Sequence, residues 1–129
     1  MEHIEEEAIV EAILLKRTFG TEEIHHLNTC QQCNDLVRLS AADLMRKWAK
    51  EMDKTTSAVE GCSDYSLMTG YVLGVNQKAS WVYSHIAVCA NCEANSKIIK
   101  RFYEGLVKSL LGNVDDLIIN QLRTKLSQI

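Results

Sequence analysis

His26-Leu27-Asn28-Thr29-Cys30-Gln31-Gln32-Cys33 is the stretch on which the reading of this chain turns. It returns as His85-Ile86-Ala87-Val88-Cys89-Ala90-Asn91-Cys92. Both copies read His-x3-Cys-x2-Cys, a set of soft and borderline metal ligands at helix-turn spacing. His3 stands 23 positions before His26, and Cys62 stands 23 positions before His85. Every member of the second set therefore lies 59 positions after its counterpart in the first. The chain has 5 Cys and 4 His, and only His25 falls outside the two quartets. His25 reads as a surface residue, although its position beside a ligand would let it substitute for His26 or His3.

The spacing has a chemical reason. Positions i and i+4 of a helix share a face, so His26 and Cys30 can reach one ion. Cys30 and Cys33 form the pincer of a helix start, where free N–H groups and the helix dipole favour a thiolate. A tetrahedral site needs a fourth donor from elsewhere, and His3 and Cys62 supply it. The expected metal ligands are thus His3, His26, Cys30 and Cys33 in one site, and Cys62, His85, Cys89 and Cys92 in the other. Zinc is the expected cofactor, two ions per chain. Two thiolates leave the first zinc site neutral, and three leave the second at −1. Four protein ligands close a site, and closed sites are structural, whereas catalytic zinc keeps a position for water.

Composition agrees with a small helical protein. The 129 residues include no proline, 6 glycines and only 8 aromatic side chains (2 Trp, 4 Tyr, 2 Phe), with 47% hydrophobic residues. This points to an all-α fold. The expected layout is two tandem zinc-binding helical units, 1–53 and 60–111, packed together and followed by a C-terminal helix at 113–129. One compact domain overall is the alternative layout. The net charge is −3, and no basic run exceeds a pair, so direct nucleic-acid binding is not expected. An acidic start (Glu2, Glu5, Glu6, Glu7) and no apolar run near the roughly 20 residues of a membrane span suggest a cytoplasmic protein. In a reducing compartment, paired cysteines suggest metal before disulfide.

Along the chain, helical periodicity first covers 4–18, with Ile4, Ala8, Ile9, Ala12, Ile13 and Leu15 on one face. Gly20 stops that helix and Thr21 caps the next, which runs into His26. Thr29-Cys30 forms a corner. A long helix follows over about 31–52, with Leu36, Leu39, Leu44, Met45, Trp48 and Met52 as its stripe. Lys54 to Gly61 reads as a linker. A face of Leu67, Met68, Tyr71, Val72 and Val75 then carries Gly70 and Gly74. A short helix over 78–86 precedes a second long one over 93–111, ended by Gly112. Asn113 caps the last helix, whose seam is Leu117, Ile118, Leu122 and Leu126.

His26-x3-Cys30-x2-Cys33 with upstream His3, and His85-x3-Cys89-x2-Cys92 with upstream Cys62, resemble the zinc-binding anti-sigma factor domain. The resemblance covers 1–53 and again 60–111. It implies a small helical domain that holds one zinc and clamps a sigma factor away from RNA polymerase. In some members the cysteines also act as a thiol-redox switch. The family usually carries one such motif, and this chain carries two. The expected function is therefore a zinc-binding regulatory protein with a protein partner, a sigma factor being the implied one. A homo-oligomer is compatible with this reading. The competing classes are an iron–sulfur or thiol redox protein and a purely structural interaction module. An enzyme is not expected, because no nucleophile–base set, phosphate loop or deaminase glutamate accompanies the cysteines.

Overall fold

Seven α-helices follow one another in the computed structural model, which describes residues 3–56, 61–74 and 80–129, and no strand occurs among them. They are α1 (Glu6–Ile13), α2 (Thr21–Thr29), α3 (Gln31–Thr55), α4 (Tyr65–Val72), α5 (Ser80–Ile86), α6 (Ala90–Leu111) and α7 (Leu117–Ser127). The all-α fold read from the sequence is the one observed. The offset of the quartets is also the offset of the helices. α1 and α4, α2 and α5, and α3 and α6 each begin 59 residues apart. The repeat is thus one of architecture as well as of ligands.

The first helix is shorter than its periodicity suggested. It ends at Ile13 rather than near residue 18, because the backbone turns left-handed at Leu15, with φ 64°. Leu15 N–H then bonds Ala12 O at 3.2 Å, and Lys16 N–H bonds Glu11 O at 2.8 Å. This pair of bonds is the Schellman ending, which normally places glycine at the left-handed position. The second repeat has that glycine. Gly74 has φ 72° and donates to Tyr71 O at 3.1 Å. Gly74 therefore ends α4 instead of lying on its face. Leu15 leaves the apolar face assigned to it and is 49% exposed.

The chain packs as two compact units. One comprises 1–44 with 102–129, and the other comprises 45–101. These limits follow packing, whereas the sequence boundaries at 1–53 and 60–111 followed the repeat, and α3 and α6 each contribute to both units.

In the first unit, Ile9, Ala12 and Ile13 of α1 are buried with Leu27, Val37, Ala41, Leu106, Leu110, Ile119, Leu122 and Leu126. Arg123 ties α7 to the end of α1. Its Nε donates to Ile13 O at 2.7 Å and its Nη2 to Ala12 O at 2.8 Å. A cation thus meets the negative end of the helix, at Ile13 O and at an Ala12 O that also accepts from Leu15 N–H. Asn28 does the same for α6, donating from Nδ2 to Leu111 O at 2.7 Å. Gly105 admits Ile119 closely, since a Cβ there would lie 2.6 Å from Ile119 Cγ1.

The seam of α7 is Ile119, Leu122 and Leu126, and the expected members Leu117 and Ile118 are 73% and 43% exposed. The helix starts later than the apolar pattern implied. Asp116, not Asn113, is its cap, accepting from Ile118 N–H at 3.0 Å. Asn113 instead has φ 50° and follows Gly112 out of α6. At α2, Gly20 occupies the cap expected of Thr21, and its N–H donates to Glu23 Oε1 at 3.1 Å. On α3, Leu39 is 61% exposed, and the buried stripe is Cys33, Val37, Ala41, Leu44, Met45, Trp48 and Ala49.

In the second unit, Asp53 anchors the start of α4. Its carboxylate accepts from Tyr65 N–H at 2.7 Å, Ser66 N–H at 3.0 Å and Ser66 Oγ at 2.6 Å. Asp64 caps the same helix through Leu67 N–H at 2.7 Å. The Trp48 and Tyr65 rings meet edge to face, 5.6 Å between centroids. α3 extends to Thr55, so the expected linker begins later, and its residues 57–60 lie outside the described residues. So do Val75 and the 78–79 start proposed for α5.

The paired turns yield a stability test. A left-handed L-residue costs about 1–2 kcal/mol, while glycine costs somewhat less in unfolded-chain entropy. Gly74→Ala, with open space around its Cβ position, should lower stability by about 1 kcal/mol. Leu15→Gly should leave stability unchanged or raise it slightly. Urea denaturation of the two variants checks the contrast.

Candidate metal centres

The two corners that carry the motifs are built alike. At the first, α2 ends at Thr29, Cys30 is extended, and α3 begins at Gln31. Cys30 N–H bonds His26 O at 2.8 Å, and Asn34 N–H bonds Cys30 O at 2.9 Å. At the second, Cys89 N–H bonds His85 O at 2.8 Å, and Glu93 N–H bonds Cys89 O at 3.0 Å. The short turn between helices aims the histidine, the corner cysteine and the cysteine of the following first turn inward together. That last cysteine is the most deeply placed, with Cys33 1% and Cys92 0% exposed.

The distant donors arrive as the spacing implied. His3, just before α1, joins His26, Cys30 and Cys33; Cys62, just before α4, joins His85, Cys89 and Cys92. Within each quartet one donor atom per residue lies within 4.8 Å of all the others. All eight residues are thus brought together, four and four. His25 is exposed and belongs to neither set. In the first cluster His3 Nδ1 is 3.4 Å from Cys30 Sγ and 3.4 Å from Cys33 Sγ. The His3 and His26 rings are 5.8 Å apart, and His26 Nε2 is buried with no hydrogen-bond partner. In the second, Cys62 Sγ is 3.7 Å from Cys89 Sγ.

These distances fit one ion per cluster. With metal–sulfur bonds of about 2.3 Å and metal–nitrogen bonds of about 2.0–2.1 Å, a tetrahedron has sulfur–sulfur edges of about 3.8 Å and sulfur–nitrogen edges of about 3.5 Å. The observed 3.7 Å and 3.4 Å match. A disulfide would bring the sulfurs to about 2.05 Å, and all five cysteines are free. An iron–sulfur cluster would spread its cysteines over several irons, wider than a quartet whose donor atoms all lie within 4.8 Å.

The backbone contributes donors that no side-chain motif reveals. Ile4 N–H reaches toward Cys33 sulfur and favours its thiolate, but burial is the larger effect and holds the Cys33 thiol above its ordinary range. Cys89 is lowered to about 7, chiefly by Cys92 N–H, with Asn91 N–H adding to it. Cys62 is pushed up to about 11, first by hydrogen bonding to the Cys92 sulfur and then by burial and the Cys89 sulfur. One sulfur of the set is thus ready to lose its proton, and a neighbour holds on to one.

No protein family, curated protein or solved structure matches this chain. No helix among the described residues is long and apolar enough to cross a membrane.

The thiol order gives a pH prediction for metal-free protein. The thiolate is the nucleophile. With its value lowered to about 7, Cys89 is about half thiolate at pH 7, and its reactivity falls roughly tenfold per unit below that. Cys62, at about 11, stays a thiol until the solution is strongly alkaline. Iodoacetamide labelling read by peptide mass spectrometry should show Cys89 modified well before Cys62 at pH 7, with the gap closing as pH rises.

Proposed function

We propose that this chain is a zinc-dependent helical regulatory protein that binds another protein, acting in the manner of an anti-sigma factor. The observation that carries the reading is the pair of closed quartets, His3–His26–Cys30–Cys33 and Cys62–His85–Cys89–Cys92. Mixed nitrogen and sulfur donors at tetrahedral spacing favour zinc over harder ions. Four protein ligands leave no open position for a substrate or an activated water, so the metal serves to hold helices rather than to catalyse. This supports a non-enzymatic role.

The case for a protein partner rests on the surface and on the motif. Val88 is 84% exposed, Tyr83 67%, Leu117 73% and Leu39 61%, and apolar side chains of this kind supply the anchors of helix-in-groove recognition. The resemblance of both quartets to the anti-sigma motif supplies the class of partner, a sigma factor. The thiol-switch reading belongs to that resemblance too: five thiols in two metal quartets would couple oxidation to metal loss.

The test is capture of partners by the tagged, zinc-loaded chain from the cells that encode it, identified by mass spectrometry. The expected result is a sigma factor retained by the wild type and lost with Cys33→Ser/Cys92→Ser. Capture that is indifferent to this double substitution, or that yields no sigma factor, would overturn the assignment.

A further inference from the structure

Charge is divided sharply between the two compact units. Residues 1–44 and 102–129 hold 6 Lys and Arg against 12 Asp and Glu, a net −6, while 45–101 hold 8 against 5, a net +3. The overall −3 conceals a basic unit. That basic unit carries an apolar groove of about 480 Å³, walled by Tyr71, Val72, Tyr83, Ile86 and Ala87, with Lys97 and Lys100 along its α6 side. Lys97 pairs with Glu93 at 2.9 Å on the outer surface. The groove has the form that accepts apolar side chains flanked by acids.

The acidic unit presents such a segment. The corner between α6 and α7 reads Asn113-Val114-Asp115-Asp116-Leu117-Ile118. Val114 is 51% exposed, Leu117 73% and Ile118 43%, with Asp115 exposed among them. This is the stretch where the helix phase differed from the sequence pattern. Ile119, Leu122 and Leu126 fill the unit's own core, and that leaves Leu117 and Ile118 outside it. Three apolar side chains and the exposed Asp115 carboxylate, beside the Asp116 that caps α7, complement a groove of apolar walls with Lys100 on its rim.

We infer that the chain associates with itself, the 114–118 corner of one copy seating in the α4–α5–α6 groove of another. Aliphatic side chains enter the groove, and Asp115 faces the lysine side. Opposite net charges on the two units steer the encounter. A groove meeting a different surface is a heterologous contact, so copies add until a ring closes or the concentration limits growth. The contact is small, of the size class of weak and transient encounters. The inference is independent of the sigma-factor assignment, since it needs no foreign partner.

The experiment is sedimentation of the full zinc-loaded chain across roughly micromolar to millimolar concentration. The weight-average mass should rise above the monomer at low salt and fall back at about 0.5 M NaCl, where charges are screened within a few ångströms. Leu117→Glu and Lys100→Glu should each weaken association about tenfold or more, while circular dichroism and metal content stay at wild-type values. Asp115→Lys mixed with Lys100→Glu should associate again, because the lysine of one variant then meets the glutamate of the other across the contact. A wild type that stays monomeric throughout would overturn the inference. So would association that both single variants retain, or a groove found occupied by a foreign protein while the chain itself is monomeric.

Discussion

Four donor atoms that must converge on one point constrain this chain more than any other interaction in it. Three of them lie within eight residues and are placed by a single helix–turn–helix corner. The fourth comes from 23 residues upstream, across a whole helix. Any ion held by His3, His26, Cys30 and Cys33 therefore closes a loop containing α1 and α2, and the second quartet does the same for α4 and α5. Closing such loops without metal would have to rest on small apolar faces alone. Structural zinc can supply roughly 10–16 kcal/mol in short peptides, which is comparable with the whole stability of a small domain. Two ions at this spacing would supply a large share of the stability of units of this size.

The two halves meet the same geometric demand with different residues. The corner hydrogen bonds at Cys30 and Cys89 are the same, and so is the burial of Cys33 and Cys92. The turn after the first helix of each half is left-handed in both, but glycine occupies it only in the second. The donors differ as well, with histidine at position 3 where the second half has cysteine. That difference changes the charge of a zinc-loaded site by one unit. It places three thiols in the second cluster, where Cys89 and Cys62 are driven in opposite directions by their neighbours.

What the sequence revealed and what it concealed divide along physical lines. The quartets were legible because ligand chemistry restricts residue type, and a repeat of 59 positions made the distant His3 and Cys62 recognisable. Helix content was legible from composition and period. The faces were less so. Leu39, Leu117, Ile118 and Leu15 are as apolar as their buried neighbours, and only the packed partner decides which of them turns inward. Ile119 is chosen over Leu117 because Gly105 leaves room for it. Caps were misplaced for a related reason: Gly20 and Asp116 win over Thr21 and Asn113 through where each helix begins in space. The anchoring of α4 by Asp53, twelve residues away, had no local signal at all.

Each half is expected to hold its own tetrahedral metal ion through four protein ligands. Native mass spectrometry of protein purified without added metal tests it most directly, with the wild type measured beside Cys30→Ala/Cys33→Ala and Cys89→Ala/Cys92→Ala. Two zinc ions are expected on the wild type and one on each double variant. A wild type carrying one ion or none, or a variant that still carries two, would contradict it.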